Sequence, residues 1–277
     1  MRRSPLIRSS LPLIAIVAMV GLAACSALAH ADRTGPRLTC SDDPSESPNA
    51  WIDPTKGKSA SDVFPDPKAA ALAKAVAKGD TTQMLALLRG GANPNATGMG
   101  GSTLLEWALR RDSRRGFDIL LDAGAKPTIF DNDDDNAVRL AAIANDSAYL
   151  ALLLAHHLDP NVATRSDSTP PLSAALLPRC DKQIRMLLAA KGIDLERADI
   201  VGDTPLIVAT TYNDFHHVLF LLEAGANPRA HDTHGHTFQV FLNMTPVGVR
   251  SKETKASIAE IDAWLTAHHV ALETPAQ

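Results

Sequence analysis

Residues 202–228 read GDTPLIVATTYNDFHHVLFLLEAGANP, and this stretch decides the fold. Thr204 can cap a helix by accepting from its free N–H groups, and Pro205 at the next position has no N–H to leave stranded. Ala209 supplies a small side chain where one first helix can lie against another. The Leu221-Leu222 pair belongs to a second helix, and Gly225 after it permits a left-handed stop. The stretch is therefore one helix pair with a start and a stop.

The same pattern recurs outward from it. The helix-end phrase Leu221-Leu222-Glu223-Ala224-Gly225-Ala226-Asn227-Pro228 matches residues 87–95 (LLRGGANPN) and 120–127 (LLDAGAKP), with weaker copies at 153–161 (LLAHHLDPN) and 187–194 (LLAAKGID). Gly91 to Gly124, Gly124 to His157 and Gly192 to Gly225 are each 33 residues apart. Ala75, Ala108, Ala141, Ala175 and Ala209 fall at one place per unit. Residues 101–108 (GSTLLEWA) are close to the start of the unit at 202–209, and 170–175 (PPLSAA) are a further variant. Aromatic residues are only 4% of the 277, and a core of Ala and Leu suits thin, closely stacked helices.

A fixed period near 33 with two helices per unit resembles the ankyrin repeat, whose repeat start is Gly-x-Thr-Pro-Leu-x-x-Ala. The resemblance covers about residues 68–277. It implies an all-α solenoid of about six helix-pair repeats joined by finger turns. It also implies protein binding through the concave face, without catalysis.

Several places depart from the pattern. His157 and His269 stand where Gly is expected, so those stops are either strained or shaped differently. The final repeat starts at Thr237-Phe238 but carries about eleven extra residues near 243–255, with its second helix expected near Ala256 to His268. We read it as a divergent cap whose polar outer face is Lys252, Glu253, Lys255, Glu260 and Asp262.

The N-terminal region has a different character. Arg2, Arg3 and Arg8 precede an uncharged apolar run from Leu11 to Ala24, too short to span a bilayer comfortably, and residues 1–24 read as a signal peptide. Two cleavage sites compete. Leu22-Ala23-Ala24-Cys25 resembles a lipobox that would leave Cys25 as a lipidated first residue, with Ser26 resembling proteins sent to the outer membrane. Ala29-His30-Ala31 instead fits ordinary cleavage and a soluble periplasmic product. The lipobox is preferred because it abuts the apolar run, and the acyl chains would anchor the protein without a spanning helix. Residues 25–67, rich in Ser, Pro, Asp and Gly, read as a flexible tether, with the first helix capped by Asp66 ahead of Pro67.

The chain holds 27 basic and 31 acidic residues. Removing residues 1–24 leaves 24 against 31, a net charge of −7, which opposes binding to nucleic acid or anionic lipid. A basic or mixed protein partner fits better. In an oxidising compartment Cys40 and Cys180 are a candidate disulfide, with two unlinked thiols as the alternative.

The sequence offers little chemistry. His231, His234 and His236 could approach one metal ion, but they sit in a finger turn, where variable polar residues are expected. Asp131, Asp133 and Asp135 begin like a calcium loop, yet Asn136 and Ala142 replace the Gly and Glu that such a loop needs. The pairs His156-His157, His216-His217 and His268-His269 read as surface or helix-end residues, because helix neighbours do not face one another. No metal or other cofactor is expected. Nucleophile-elbow, zinc-protease, P-loop and dinucleotide motifs are absent, leaving a hydrolase with a scattered triad as the enzymatic alternative.

By the resemblance, the binding surface would draw on first-helix positions Arg110, Arg111, Ile143, Ala144, Leu177, Thr211 and Tyr212. Finger positions would add Met99, Ser102, Asn132, Asp133, Asp135, Arg165, Ile200, Val201, Asp203, Thr233, His234 and His236. Tyr212, Arg110 and Arg111 are of the residue types enriched in hot spots. Architecture and address resemble exported ankyrin proteins that act as immunity proteins against secreted antibacterial toxins. A scaffold or helper for a periplasmic redox or cell-envelope enzyme is the other non-enzymatic reading.

Overall fold

The computed structural model describes residues 40, 55–244 and 247–273. The expected signal peptide, the lipobox at Cys25 and the alternative cleavage site at Ala31 lie outside the described residues. Every regular element among the described residues is helical, apart from two isolated bridges within finger turns, Thr97 to Thr103 and His231 to Thr237.

After a short helix α1 (Ala60–Val63), six helix pairs follow. They are α2 (Pro67–Lys78) with α3 (Thr81–Arg89), α4 (Leu104–Arg110) with α5 (Arg114–Asp122), and α6 (Ala137–Ile143) with α7 (Ala148–Ala155). Next come α8 (Pro171–Leu176) with α9 (Asp181–Leu188), α10 (Pro205–Thr211) with α11 (Phe215–Glu223), and α12 (Phe238–Leu242) with α13 (Lys252–Ala267). Each first helix packs on the first helix of the next pair, from α2 on α4 through to α10 on α12.

The repeated residues explain the stacking. Ala75, Ala108, Ala141, Ala175 and Ala209 are all fully buried, and a larger side chain at any of them would push two first helices apart. Behind them Leu120, Leu153, Leu187 and Leu221 are also sealed from water, each such side chain contributing roughly 1.5–3 kcal/mol. The first helices begin as the sequence implies. Asp66, Thr103, Asn136 and Thr204 accept from the backbone N–H three residues on, and Thr103 forms a reciprocal capping box with Glu106.

The second helices stop in a left-handed residue, and His157 (φ 60°) and His269 (φ 55°) take the conformation that Gly124 and Gly225 take elsewhere. The closing hydrogen bonds are the same: Leu158 N–H donates to Leu153 O at 3.1 Å, as Ala125 N–H does to Leu120 O at 2.9 Å. The two histidine stops are therefore strained rather than differently shaped.

Two expected boundaries shift. The last second helix starts at Lys252, capped by Ser251, so the extra residues partly extend α13 instead of all forming a loop. A 3₁₀ turn, Val247–Val249, precedes it. On α13 Lys252, Glu253, Lys255 and Glu260 are exposed.

The described end of the expected tether, residues 55–66, is not a tether but an N-terminal cap. Ser59 and Asp62 form a capping box around α1, and Val63 and Phe64 are buried. Phe64 meets Trp107 edge-on, with ring centroids 5.7 Å apart, and Trp107 Nε1 donates to Ala73 O at 2.8 Å. These contacts cover the apolar end of the first repeat. Further up the chain Cys40 is disulfide-bonded to Cys180, with Cα atoms 5.0 Å apart, and Cys40 N–H donates to Pro178 O at 3.4 Å.

Candidate protein-binding surface

The finger turns are built by one recurring device. An Asp carboxylate, buried in Asp131 and Asp232 and half-buried in Asp199, accepts two backbone N–H groups within its own finger. Asp131 accepts from Asp133 and Asp135, Asp199 from Val201 and Asp203, and Asp232 from His234 and His236, all at 2.8–2.9 Å. Successive fingers are joined through the backbone: Asn132 N–H to Gly100 O, Ile200 N–H to Asp167 O, and Thr233 N–H to Val201 O, at 2.8–3.0 Å. At the opposite ends of the repeats Asn95 and Asn161 each bridge to the next unit, their side chains accepting from Lys126 and Asp194 and donating to Gly124 and Gly192. These latches escaped the sequence reading, although the recurrence of Asp131, Asp199 and Asp232 at intervals near multiples of 33 carried the signal. The calcium-like alternation at 131–135 has the same explanation: Asp131 latches its finger, Asp133 is exposed and Asp135 pairs with Arg139.

The expected surface divides into two parts. In repeats 2 and 3 most of its first-helix positions are already engaged. Arg110 is 8% exposed and no surface anchor: its Nη1 lies 3.4 Å from Glu106 Oε2 and donates to the buried Ser102 Oγ at 3.2 Å, while Nη2 lies 3.7 Å from Asp131 Oδ2. Burial pushes the Glu106 carboxyl up to about 8, partly offset by Arg110, with Asp131 adding to the rise. Arg111 stacks over Trp107 at 4.1 Å and donates to Thr55 O and Lys58 O at 3.0 and 3.2 Å, so the N-terminal segment uses it. Ile143 and Ala144 are buried, and Cys40 Sγ lies 3.6 and 3.5 Å from their carbonyl oxygens. The chain's own N-terminal segment thus meets first-helix ends in repeats 2, 3 and 4. Of the finger residues there, Met99, Asn132 and Asp133 are exposed and Asp135 is half-buried. The Met99 sulfur accepts from Lys58 Nζ at 3.4 Å.

From repeat 4 onward the surface is open. Leu177, Ile200, Val201 and Tyr212 are 43%, 65%, 46% and 44% exposed, and Thr211, Thr233, His234 and His236 are exposed beside them. Asp203 is half-buried. Burial, then the neighbouring Asp199 and Asp232, pushes its carboxyl up to about 6, with His234 and His236 opposing. Arg165, exposed, stacks over Phe130 at 4.5 Å and its Nε reaches Asp134 Oδ1 at 3.1 Å.

The histidine pairs are not all alike. His156 contacts Asp118 at 3.2 Å, and His268 stacks on Trp264 with centroids 3.8 Å apart. His217, expected at the surface, is 2% exposed, with Nδ1 2.6 Å from Asp214 Oδ2. It faces inward because α11 places the position after His216 against the neighbouring repeat.

Comparison with known proteins agrees with the architecture. The ankyrin repeat model matches residues 201–233. Protein PhlB of Serratia liquefaciens is 39% identical over 150 residues, covering 52% of this chain and 62% of its own length, so the chain spans less than two thirds of that relative. An ankyrin repeat domain from Acinetobacter baumannii superposes with a TM-score of 0.59 at 25% identity, covering 72% of this chain and 98% of that one. The complex of the predatory endopeptidase Bd0816 of Bdellovibrio bacteriovorus with immunity protein Bd3460 is similar with a TM-score of 0.52 at 18% identity, covering 71% and 97%. A matched repeat, six stacked helix pairs and these neighbours together establish that the chain carries the ankyrin-repeat fold.

Proposed function

We propose that the chain is an exported binding protein that neutralises a partner protein by covering it, in the manner of an immunity protein, and that it acts in the periplasm from a lipid anchor at Cys25. The observation that carries the reading is the set of exposed apolar side chains Leu177, Ile200, Val201 and Tyr212 on fingers and first-helix ends, the positions through which the repeat resemblance implies partner binding. Bordering it, Asp203 offers negative charge to a basic or mixed surface. The similarity in fold to a chain from an endopeptidase–immunity protein complex supports the inhibitory role. The apolar, arginine-led N-terminus and the Cys40–Cys180 bond support an exported, oxidising address.

The test has two arms. Affinity capture from periplasmic extract with the intact protein and with a Tyr212→Ala/Ile200→Ser variant should recover a partner with the first and lose it with the second. Cells lacking the gene should then succumb to kin that deliver that partner. Survival equal to the parent's overturns the immunity reading, and capture unaffected by the double substitution overturns the assigned surface.

A further inference from the structure

We propose that Asp181, His216 and His217 form a binding site for a first-row divalent cation of the Zn²⁺ class, clipping repeat 4 to repeat 5 on the second-helix side. Asp181 opens α9 and the two histidines lie in the first turn of α11, so the three come from adjacent repeats. Each offers one ligand atom, and these atoms all lie within 4.8 Å of one another. Two imidazoles and a carboxylate are the donor set of an open zinc site, with a further position left for water.

Proximity alone would be weak, since surface histidines and carboxylates often meet without a metal. The second observation is the state of His217. Its ring is 2% exposed. Nδ1 is held by the buried Asp214 carboxylate at 2.6 Å, the arrangement that fixes ring orientation in metal-binding histidines and raises the basicity of the other nitrogen. That other nitrogen, Nε2, is buried and has no hydrogen-bond partner. Asp181 Oδ1 lies 2.9 Å from it but is out of hydrogen-bonding alignment. A buried imidazole nitrogen 2.9 Å from a carboxylate oxygen but misaligned for a hydrogen bond is costly if left so; a cation coordinated by both satisfies it. His216 completes the set from the solvent side, its ring centroid 5.2 Å from that of His217 and edge-on to it. Adjacent helix residues converge here because the ligand that joins them comes from the preceding repeat, rather than from their own helix.

Two other clusters set the comparison. Asp232 with His234 and His236, and Asp118 and Asp122 with His156, also bring three donors together. In both, the histidines are not buried, and Asp232 is occupied by its finger latch.

The experiment uses untagged, chelator-stripped full-length mature protein titrated with ZnCl₂ alone by calorimetry, with Co²⁺ absorption as a second readout of low-symmetry nitrogen and oxygen coordination. One equivalent is expected to bind. Asp181→Asn and His216→Gln, both at exposed positions, should each weaken binding at least about tenfold, and Asp214→Asn, behind the ligand, by about 10–100-fold. A His234→Gln/His236→Gln control should leave it unchanged. Absence of a stoichiometric site in the parent overturns the proposal. So does binding that survives Asp181→Asn and His216→Gln but disappears in the finger control.

Discussion

Arg110 and Glu106 lie one helical turn apart with the guanidinium and the carboxyl 3.4 Å from each other, both sealed from water. The arginine that composition marks as an interface anchor is therefore spent inside the protein, tying α4 to the Asp131 finger of the next repeat. Arg110→Ala is expected to destabilise the chain by about 1–3 kcal/mol, because it leaves the buried Asp131 carboxylate without its cation and the buried Glu106 carboxyl without that hydrogen-bond donor. Tyr212→Ala should cost stability little and reduce partner binding instead. Urea unfolding of both variants separates the roles, and a stable Arg110→Ala chain that fails to bind would reverse them.

Glu106 also sets a pH dependence. Its folded carboxyl is pushed from 4.5 up to about 8, so between those values the folded chain holds a proton on Glu106 that the unfolded chain releases. Stability from this group is present below about pH 4.5 and is lost as pH rises towards 8, by at most about 1.4 kcal/mol per pH unit. Denaturant midpoints at pH 5.5, 6.5 and 7.5 should fall along the series in the parent and fall less in Glu106→Gln. Parallel slopes would remove Glu106 as their source.

The histidine at the stop of the third repeat offers a stabilising change. With φ at 60°, His157 pays the left-handed penalty of roughly 1–2 kcal/mol that glycine avoids. His157→Gly should raise stability by about 0.5–1 kcal/mol after the entropy glycine adds to the unfolded chain. A lowered melting temperature would mean that the imidazole makes a contact worth more than the strain.

The Cys40–Cys180 bond closes a separation of 140 residues, for which the chain-entropy model allows about 4–5 kcal/mol, with native bridges often contributing less. Cys40→Ser/Cys180→Ser should unfold at lower denaturant than the oxidised parent and match the parent treated with dithiothreitol. Equal midpoints for variant and oxidised parent would show that the bridge constrains position without adding stability.

Asp203 should make partner binding pH-sensitive. Its carboxyl, raised to about 6, is ionised at neutral pH and gains its proton on acidification. Affinity for a basic partner surface should fall between pH 7 and 5, and Asp203→Asn should flatten that fall. Titrations of both forms at the two pH values check it, with His234 and His236, which face Asp203, kept intact.

The sequence alone determined the repeat. A 33-residue period, polar caps, buried Ala and Leu, and left-handed stops are local requirements of a helix pair, and nearly every repeat meets them with its own residues, the start of α8 at Pro170 being without a side-chain cap. Contacts between repeats, and between distant segments, were decided only by the tertiary structure. Arg110 and Tyr212 occupy neighbouring positions in the repeat pattern, yet one is buried by Glu106 and Asp131 and the other is exposed. His216 and His217 are adjacent in sequence, but stacking turns one outward and buries the other between Asp214 and Asp181. Residues 55–66 have the polar composition of a linker, and Phe64 becomes core only because Trp107, more than forty residues on, stands where the first repeat needs a cover. Periodicity encodes what a residue does within its own unit; burial and pairing depend on what the stack brings against it.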